Sequence, residues 1–274
     1  MTLQQKLAAL TTAHKAILAV NFYNFETLSG IMKAAKALDE PVILQLSEST
    51  INYLGLKIAS GLARKGLEQY GVTGWLHLDH GGSVELVKRC LDEGFDSVMI
   101  DASEKPFDEN VKTTQEVVKL AEKYHANVEA ELGYVAKLGQ IQDTAVYTQP
   151  QEVKLFTELT GVNALAIAIG SAHGFYKSTP VLQIELLKSI RAVTDTTLVL
   201  HGGSGIPDLQ IKQAIQAGIS KINLATETKN IFMLTLKEIL AQTDEIDLRK
   251  VFPKAIDAVE NLISNKIKMI NSAE

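Results

Sequence analysis

Cysteine is almost absent. Cys90 is the only one in 274 residues, so no internal disulfide can form and a reducing cytoplasm is the natural compartment. Proline is scarce too: six prolines and eighteen glycines argue against linker-rich or disordered segments. No apolar run approaches the roughly 20 residues that cross a bilayer. The N-terminal stretch MTLQQKLAALTTAHKAILAV is amphipathic and lacks the basic-then-apolar layout of a leader segment. Excess positive charge is also missing. Lys+Arg number 27 against 32 Asp+Glu, for a net charge of −5, and the two signs are interspersed. Without a basic run or face, a nucleic-acid partner is disfavoured. The sequence thus points to a soluble intracellular chain with no membrane partner. Its 46 % hydrophobic content can bury a sizeable core, and its length suits one domain over residues 1–274.

The dominant pattern is alternation of short apolar, β-branched-rich runs with longer stretches of helical spacing. Strands are expected at 16–21, 42–47, 75–80, 97–101, 127–132, 164–170, 197–202 and 221–225. Helices are expected at 26–38, 52–70, 83–92, 108–123, 150–159, 182–192, 207–217 and 226–241. Near-continuous hydrophobic strands fit a parallel sheet covered by helices. Glycines in LDEGF and IQAGIS fit helix C-termini, and Pro207 before Asp208 fits a helix start after a glycine loop. Eight such units form either an open sheet or a closed barrel. The polar residues decide between them, because nearly every strand ends in a reactive group: Asn21, Ser47, Asp79 with His80, Asp101, Glu131, His173 just past the sixth, His201 and Asn223. In a TIM-type (β/α)8 barrel those ends converge on one mouth; in an open sheet they would be strung along a line. The expected fold is the α/β barrel, with an additional C-terminal helix over about 251–268 that covers the barrel or reaches a neighbouring subunit.

Three of the six histidines, His80, His173 and His201, sit at strand ends. Neutral imidazoles converging with an open coordination position describe a catalytic zinc site, whereas any one of them alone would more often be a hydrogen-bonded structural histidine. His77 lies within the third strand and reads as a core residue or a neighbour of the site. Asp79 beside a divalent ion suits a general acid/base acting on a sugar hydroxyl; the alternative is a partner that orients a ligating histidine. Asp101 and Glu131 are equally readable as outer metal ligands or as acceptors for loop amides. LHGGSGIPD after the seventh strand and NLATET after the eighth place glycines and helix starts where barrel enzymes bind phosphate. Lys177 in HGFYK would add a point charge to that anion or lie solvated at the surface.

The motifs AVNFYNFET, VILQLSE, LHLDHGG, GFDSVMIDAS, VEAELG, AIAIGSAHGFYK, LHGGSGIP and KINLATETKNIF run in order from about Asn21 to Phe232. Together they resemble the class II, metal-dependent ketose-bisphosphate aldolases, nearest the tagatose- and fructose-bisphosphate branch. The resemblance implies Zn2+ on His80, His173 and His201, with Asp101 and Glu131 at a second or alternative metal or monovalent-cation position. It implies Asp79 as general acid/base in reversible cleavage of a ketose bisphosphate to dihydroxyacetone phosphate and an aldehyde, through a metal-stabilised enediolate. The dihydroxyacetone-phosphate half would be held by Asn21, Ser47, Gly174, Lys177, Gly202, Gly203, Ser204, Asn223, Ala225 and Thr226. It further implies a homodimer or homotetramer.

Two segments depart from the family pattern. After Gly133 the family carries a glycine-rich acidic loop, whereas here YVAKLGQIQDTAVYTQ has Asp143 as its single acid. The family's late helix offers an arginine to a second phosphate, and AIDAVENLISNKIKMI has none, which leaves Arg249 or a nearby lysine as substitutes. These departures keep a second reading open, a catalytically weak phosphosugar-binding homologue with a sensor or regulatory role. A zinc sugar isomerase on the same barrel is a third. A zinc endonuclease is disfavoured by the acidic balance.

Overall fold

The structure is a computed structural model that describes residues 1–133, 147–174, 176 and 178–273. Its elements in chain order are α1 (Leu3–Thr12), β1 (Ile17–Asn21), α2 (Phe25–Leu38), β2 (Val42–Ser47), α3 (Glu48–Leu54), α4 (Leu56–Tyr70), β3 (Gly74–Gly81) and α5 (Val84–Asp92). There follow β4 (Ser97–Ile100), α6 (Phe107–Glu122), β5 (Asn127–Leu132), α7 (Pro150–Thr160), β6 (Ala164–Ile167) and α8 (Ile184–Arg191). The chain ends with β7 (Thr197–Leu200), α9 (Asp208–Gln216), β8 (Ile219–Leu224), α10 (Thr226–Leu240), α11 (Leu248–Val251) and α12 (Pro253–Asn271).

All eight strands are parallel and close in the order β1 to β8, with β8 returning to β1. This is the expected (β/α)8 barrel with a C-terminal helical extension. Strand alternation sorts its side chains. Leu44, Leu46, Leu76, Leu78, Val98, Ile100 and Val128 belong to the main apolar cluster with helix residues such as Met32, Val87 and Val117. The inward set is different. Ile17, Ala19, Ile43 and Trp75 join Leu3, Leu7 and Leu10 of α1 in a separate cluster, so α1 plugs the N-terminal end of the barrel. Above that plug the interior turns polar. Gln45, His77, Ser97, Asn127, Glu129 and Lys221 are all buried, and they lie below the strand ends that carry Asp79, His80, Glu131 and Asn223.

Three local differences from the sequence reading have physical causes. α1 was not foreseen, although Thr2 and Gln5 form a reciprocal cap at its start. The helix expected over 52–70 is divided into α3 and α4 by Gly55, whose φ is +85° and cannot continue a right-handed helix. The C-terminal extension is broken at Phe252 before Pro253, where α12 starts and runs to Asn271. α12 packs against α2, and its Val259 and Ile256 approach the latter at Gly30. Among the described residues, no helix is long and apolar enough to cross a membrane.

Candidate active site

β3 carries the two adjacent groups on which the site depends. Inward-facing Trp75, His77 and Asp79 alternate with outward-facing Leu76 and Leu78, and unbroken alternation would turn His80 away from the mouth. The register against β4 slips between Leu78 and Gly81, and His80 takes φ +52°. This bulge inserts an extra residue and re-aims its neighbours, so Asp79 and His80 reach the same space.

The rings of His80 and His173 have centroids 4.8 Å apart, those of His80 and His201 4.8 Å, and those of His173 and His201 5.7 Å. One nitrogen from each lies within 4.8 Å of the others. Two nitrogens on a tetrahedral zinc would be about 3.4 Å apart, so a small closing movement accommodates an ion. The remaining nitrogens are already oriented. His80 Nδ1 is 2.7 Å from Asp101 Oδ2, which directs Nε2 inward. Asp101 Oδ1 accepts from the Ser103 hydroxyl at 2.7 Å and its N–H at 3.2 Å. His201 Nε2 is 2.8 Å from Glu129 Oε1; its Nδ1 is buried without a hydrogen-bond partner, 3.3 Å from Glu131 Oε2. The donor set, imidazoles with carboxylates orienting them from behind, suits zinc. His80, Asp101 and Glu131 also offer ligand atoms within 4.8 Å of one another, the geometry expected of an alternative cation position.

Asp79 is 7 % exposed. Asn21 Nδ2 donates to its Oδ2 at 2.8 Å and Asn223 Nδ2 approaches its Oδ1 at 3.4 Å. Each amide is itself fixed from behind: Gln45 Nε2 donates to Asn21 Oδ1 at 3.1 Å, and Lys221 Nζ donates to Asn223 Oδ1 at 2.8 Å. Lys221, 1 % exposed, is balanced by Glu129 Oε2 at 2.8 Å. Burial pushes the Asp79 carboxyl up, but the charges of His80, His201 and Lys221 and the Asn21 hydrogen bond together hold it below its ordinary value. Burial together with the charges of His201 and His80 lowers His173 to about 3. Burial opposes charge on His201 too, yet Glu129 and Glu131 outweigh it and lift the ring to about 10. The site therefore places an ionised carboxylate beside imidazoles of opposite tendency.

The second half of the mouth is backbone. Gly202 has φ +66°, and a Cβ there would overlap the carbonyl oxygen of Ala172; no other residue allows the loops after β6 and β7 to meet so closely. Tyr176 joins the same loops, donating to Gly202 O at 2.9 Å and accepting the Ala172 N–H at 2.8 Å. The Gly203 N–H donates to Asn223 O at 3.1 Å. Ser204 is buried, and α10 starts at Thr226, after Ala225, without a side-chain cap, which leaves amide donors for an anion. Ser47 pairs in register with Asp79, and its hydroxyl lies 3.0 and 3.1 Å from those of Ser49 and Thr50 at the start of α3. Gly174 has φ +95°. Lys177 and Asp143 lie outside the described residues.

His77, read from the sequence as a core residue or a neighbour of the site, is buried, with Nδ1 2.7 Å from Ser97 Oγ. Strand-end reasoning missed its companions one layer below. Glu129, Lys221 and Gln45 lie inside the quoted motifs without a role assigned to them, but Glu129 stands two residues before Glu131 in VEAEL and Lys221 two before Asn223 in KINL. Period-two alternation placed both on the inner face. Arg249 is paired with Asp247 at 3.0 Å.

Fold and site define a metal-dependent barrel enzyme with a buried carboxylate beside its three histidines. The family model for class-II fructose-bisphosphate aldolases matches residues 1–274, and the chain belongs to that family. It is similar to the YdjI aldolase from Escherichia coli K12, with 34 % identity over 98 % of this chain and 97 % of that one, at a TM-score of 0.88. A Coccidioides immitis protein solved as a candidate fructose-1,6-bisphosphate aldolase is 28 % identical over 98 % of this chain and 96 % of that one, at a TM-score of 0.89. The fold is shared with the fructose-bisphosphate aldolase of Campylobacter jejuni, 24 % identical over 98 % and 94 % of the two chains, at a TM-score of 0.82. The reaction is of the class-II aldolase type, on a ketose bisphosphate.

Proposed function

We propose that this lyase reversibly cleaves a fructose- or tagatose-type 1,6-bisphosphate into dihydroxyacetone phosphate and an aldehyde, with Asp79 as general acid/base and His80, His173 and His201 holding zinc. The observation that carries the reading is the meeting of three histidines from distant strand ends within 4.8 Å beside a carboxylate gripped by two amides. A divalent ion held there supplies Lewis acidity toward the sugar oxygens. The protein's own groups do the rest. Asp79, kept ionised, takes the proton from the hydroxyl flanking the scissile bond in cleavage and returns it in condensation. Asp101 and Glu129 fix the tautomers and aim of His80 and His201, and Asp101 with Glu131 offers a second cation position.

Asn21, Ser47, Gly174, Lys177, Gly202, Gly203, Ser204, Asn223, Ala225 and Thr226 form the grip on the dihydroxyacetone-phosphate half. Fixing the substrate at its phosphate end removes orientational freedom before the bond breaks. Residues 1–274 work as one domain, in the cytoplasm, as a homodimer or homotetramer. Exposed Met233, Leu234, Leu240, Ile246 and Leu248 on and after α10 supply apolar surface for self-association. The test is a metal assay joined to a stereochemically varied panel of ketose bisphosphates. Zinc-dependent release of triose phosphate is expected. Binding of the same sugars without any release would indicate a sensor, and turnover without a three-carbon product an isomerase.

A further inference from the structure

An ion pair joins the C-terminal helix to the start of α10, beside the glycine loop after β7. Lys266 of α12 sets its Nζ 3.1 Å from Oε2 and 3.3 Å from Oε1 of Glu227. Glu227 lies in the first turn of α10. Its Oε1 accepts the Gly205 N–H at 2.6 Å, and its own N–H donates to Ser204 Oγ at 3.2 Å. Ser204–Gly205 after β7 and Glu227 after β8 are thus tied reciprocally, and Gly205, with φ +83°, makes the turn that allows it. Both charged side chains are mostly shielded, at 15 % and 17 % exposure.

The arrangement has an electrostatic consequence. A carboxylate in a loop suited to a phosphoryl group competes for its amide donors and repels the incoming anion. The Lys266 ammonium cancels that charge where water cannot. Because Ser204 Oγ already accepts from Glu227, its hydroxyl proton is left to donate outward. We propose that Lys266 is a positioning residue for the phosphorylated substrate half: by neutralising Glu227 it holds the 204–205 turn in its anion-accepting form without touching the phosphate itself. The inference rests on the reading of this loop as the phosphate grip.

The test compares zinc-loaded full-length protein with Lys266→Met, Lys266→Arg and the double variant Glu227→Gln/Lys266→Met, measuring calorimetric Kd for dihydroxyacetone phosphate together with kcat and KM. Lys266→Met is expected to raise Kd and KM roughly tenfold while kcat stays within about threefold. Lys266→Arg should keep Kd within about twofold, and the double variant, free of an unpaired carboxylate, should recover most of the loss. A Lys266→Met protein with wild-type Kd, or a double variant as weak as the single, overturns the inference. Should Lys266→Met fail to fold, Lys266→Gln, which retains a neutral donor, carries the same expectations. Wild-type protein that binds dihydroxyacetone phosphate but cleaves no ketose bisphosphate would sink the proposed function and leave this inference standing. Cleavage by the wild type with an unaltered Lys266→Met Kd would sink the inference alone.

Discussion

His80 Nδ1 and Asp101 Oδ2 stand 2.7 Å apart, and this contact decides which nitrogen of the imidazole faces the other two histidines. Asp101 is in turn held by both the hydroxyl and the amide of Ser103, so its carboxylate is ionised and its direction fixed. Burial favours the neutral acid, but the His80 contact and the Ser103 hydrogen bonds hold its pKa well below the ordinary range. Replacing Asp101 with Asn removes the charge and lets the imidazole choose either tautomer. Zinc affinity should fall by roughly 10- to 100-fold, as read by competition with a chromogenic chelator. An unaltered affinity would mean that Asp101 does not orient His80.

Asp79 makes a sharper prediction, because its neighbours hydrogen-bond to it from both sides. Asp79→Asn keeps the volume but removes the base, and one of the two amide donors then faces an amide instead of a carboxylate oxygen. Retro-aldol turnover should fall by about 10²- to 10⁴-fold while zinc content stays near stoichiometric. Loss of metal together with activity would instead place Asp79 among the ligands.

The barrel was legible because its strands are apolar runs of the right length between helical stretches; β2 and β5 have the bounds read from the sequence. The mouth was legible because reactive residues end those runs. How Asp79 and His80 share a pocket was not legible, since it depends on the bulge against β4 and on His80 adopting a left-handed backbone, a state non-glycine residues occupy rarely. In the layer beneath, Glu129 and Lys221 lie inside the quoted motifs, but only alternation places them inward, and nothing in the motifs says that they pair with each other. Lys266 and Glu227 lie 39 residues apart and meet only through the packing of α12, which no local pattern encodes.

Cys90 provides a check on the packing of α5. It is fully buried in the main apolar cluster, and burial pushes its thiol up to about 12. The thiolate is the reactive species, so at pH 8 the folded protein should react with a thiol reagent orders of magnitude more slowly than protein in denaturant. Rapid labelling of the native chain would show that α5 does not pack as described.

Glycines 30 and 61 should respond to alanine with opposite signs. In a helix interior, alanine is worth up to about 1 kcal/mol over glycine. A Cβ on Gly61 of α4 meets nothing within 4 Å, so Gly61→Ala should stabilise by up to about 1 kcal/mol. On Gly30 of α2 the same carbon would stand 2.7 Å from Val259 Cβ and Cγ1 and 2.8 Å from the Ile256 carbonyl oxygen. Neither neighbour can rotate away, because one is a β-branched stem and the other is backbone. Overpacking of this kind costs about 1–3 kcal/mol, which exceeds the helix gain, and relief requires α12 to move off α2. Gly30→Ala should therefore lower the urea midpoint while Gly61→Ala raises it. Because α12 also carries Lys266, a displaced helix in Gly30→Ala should weaken dihydroxyacetone phosphate binding as well, whereas Gly61→Ala should leave that binding at the wild-type value.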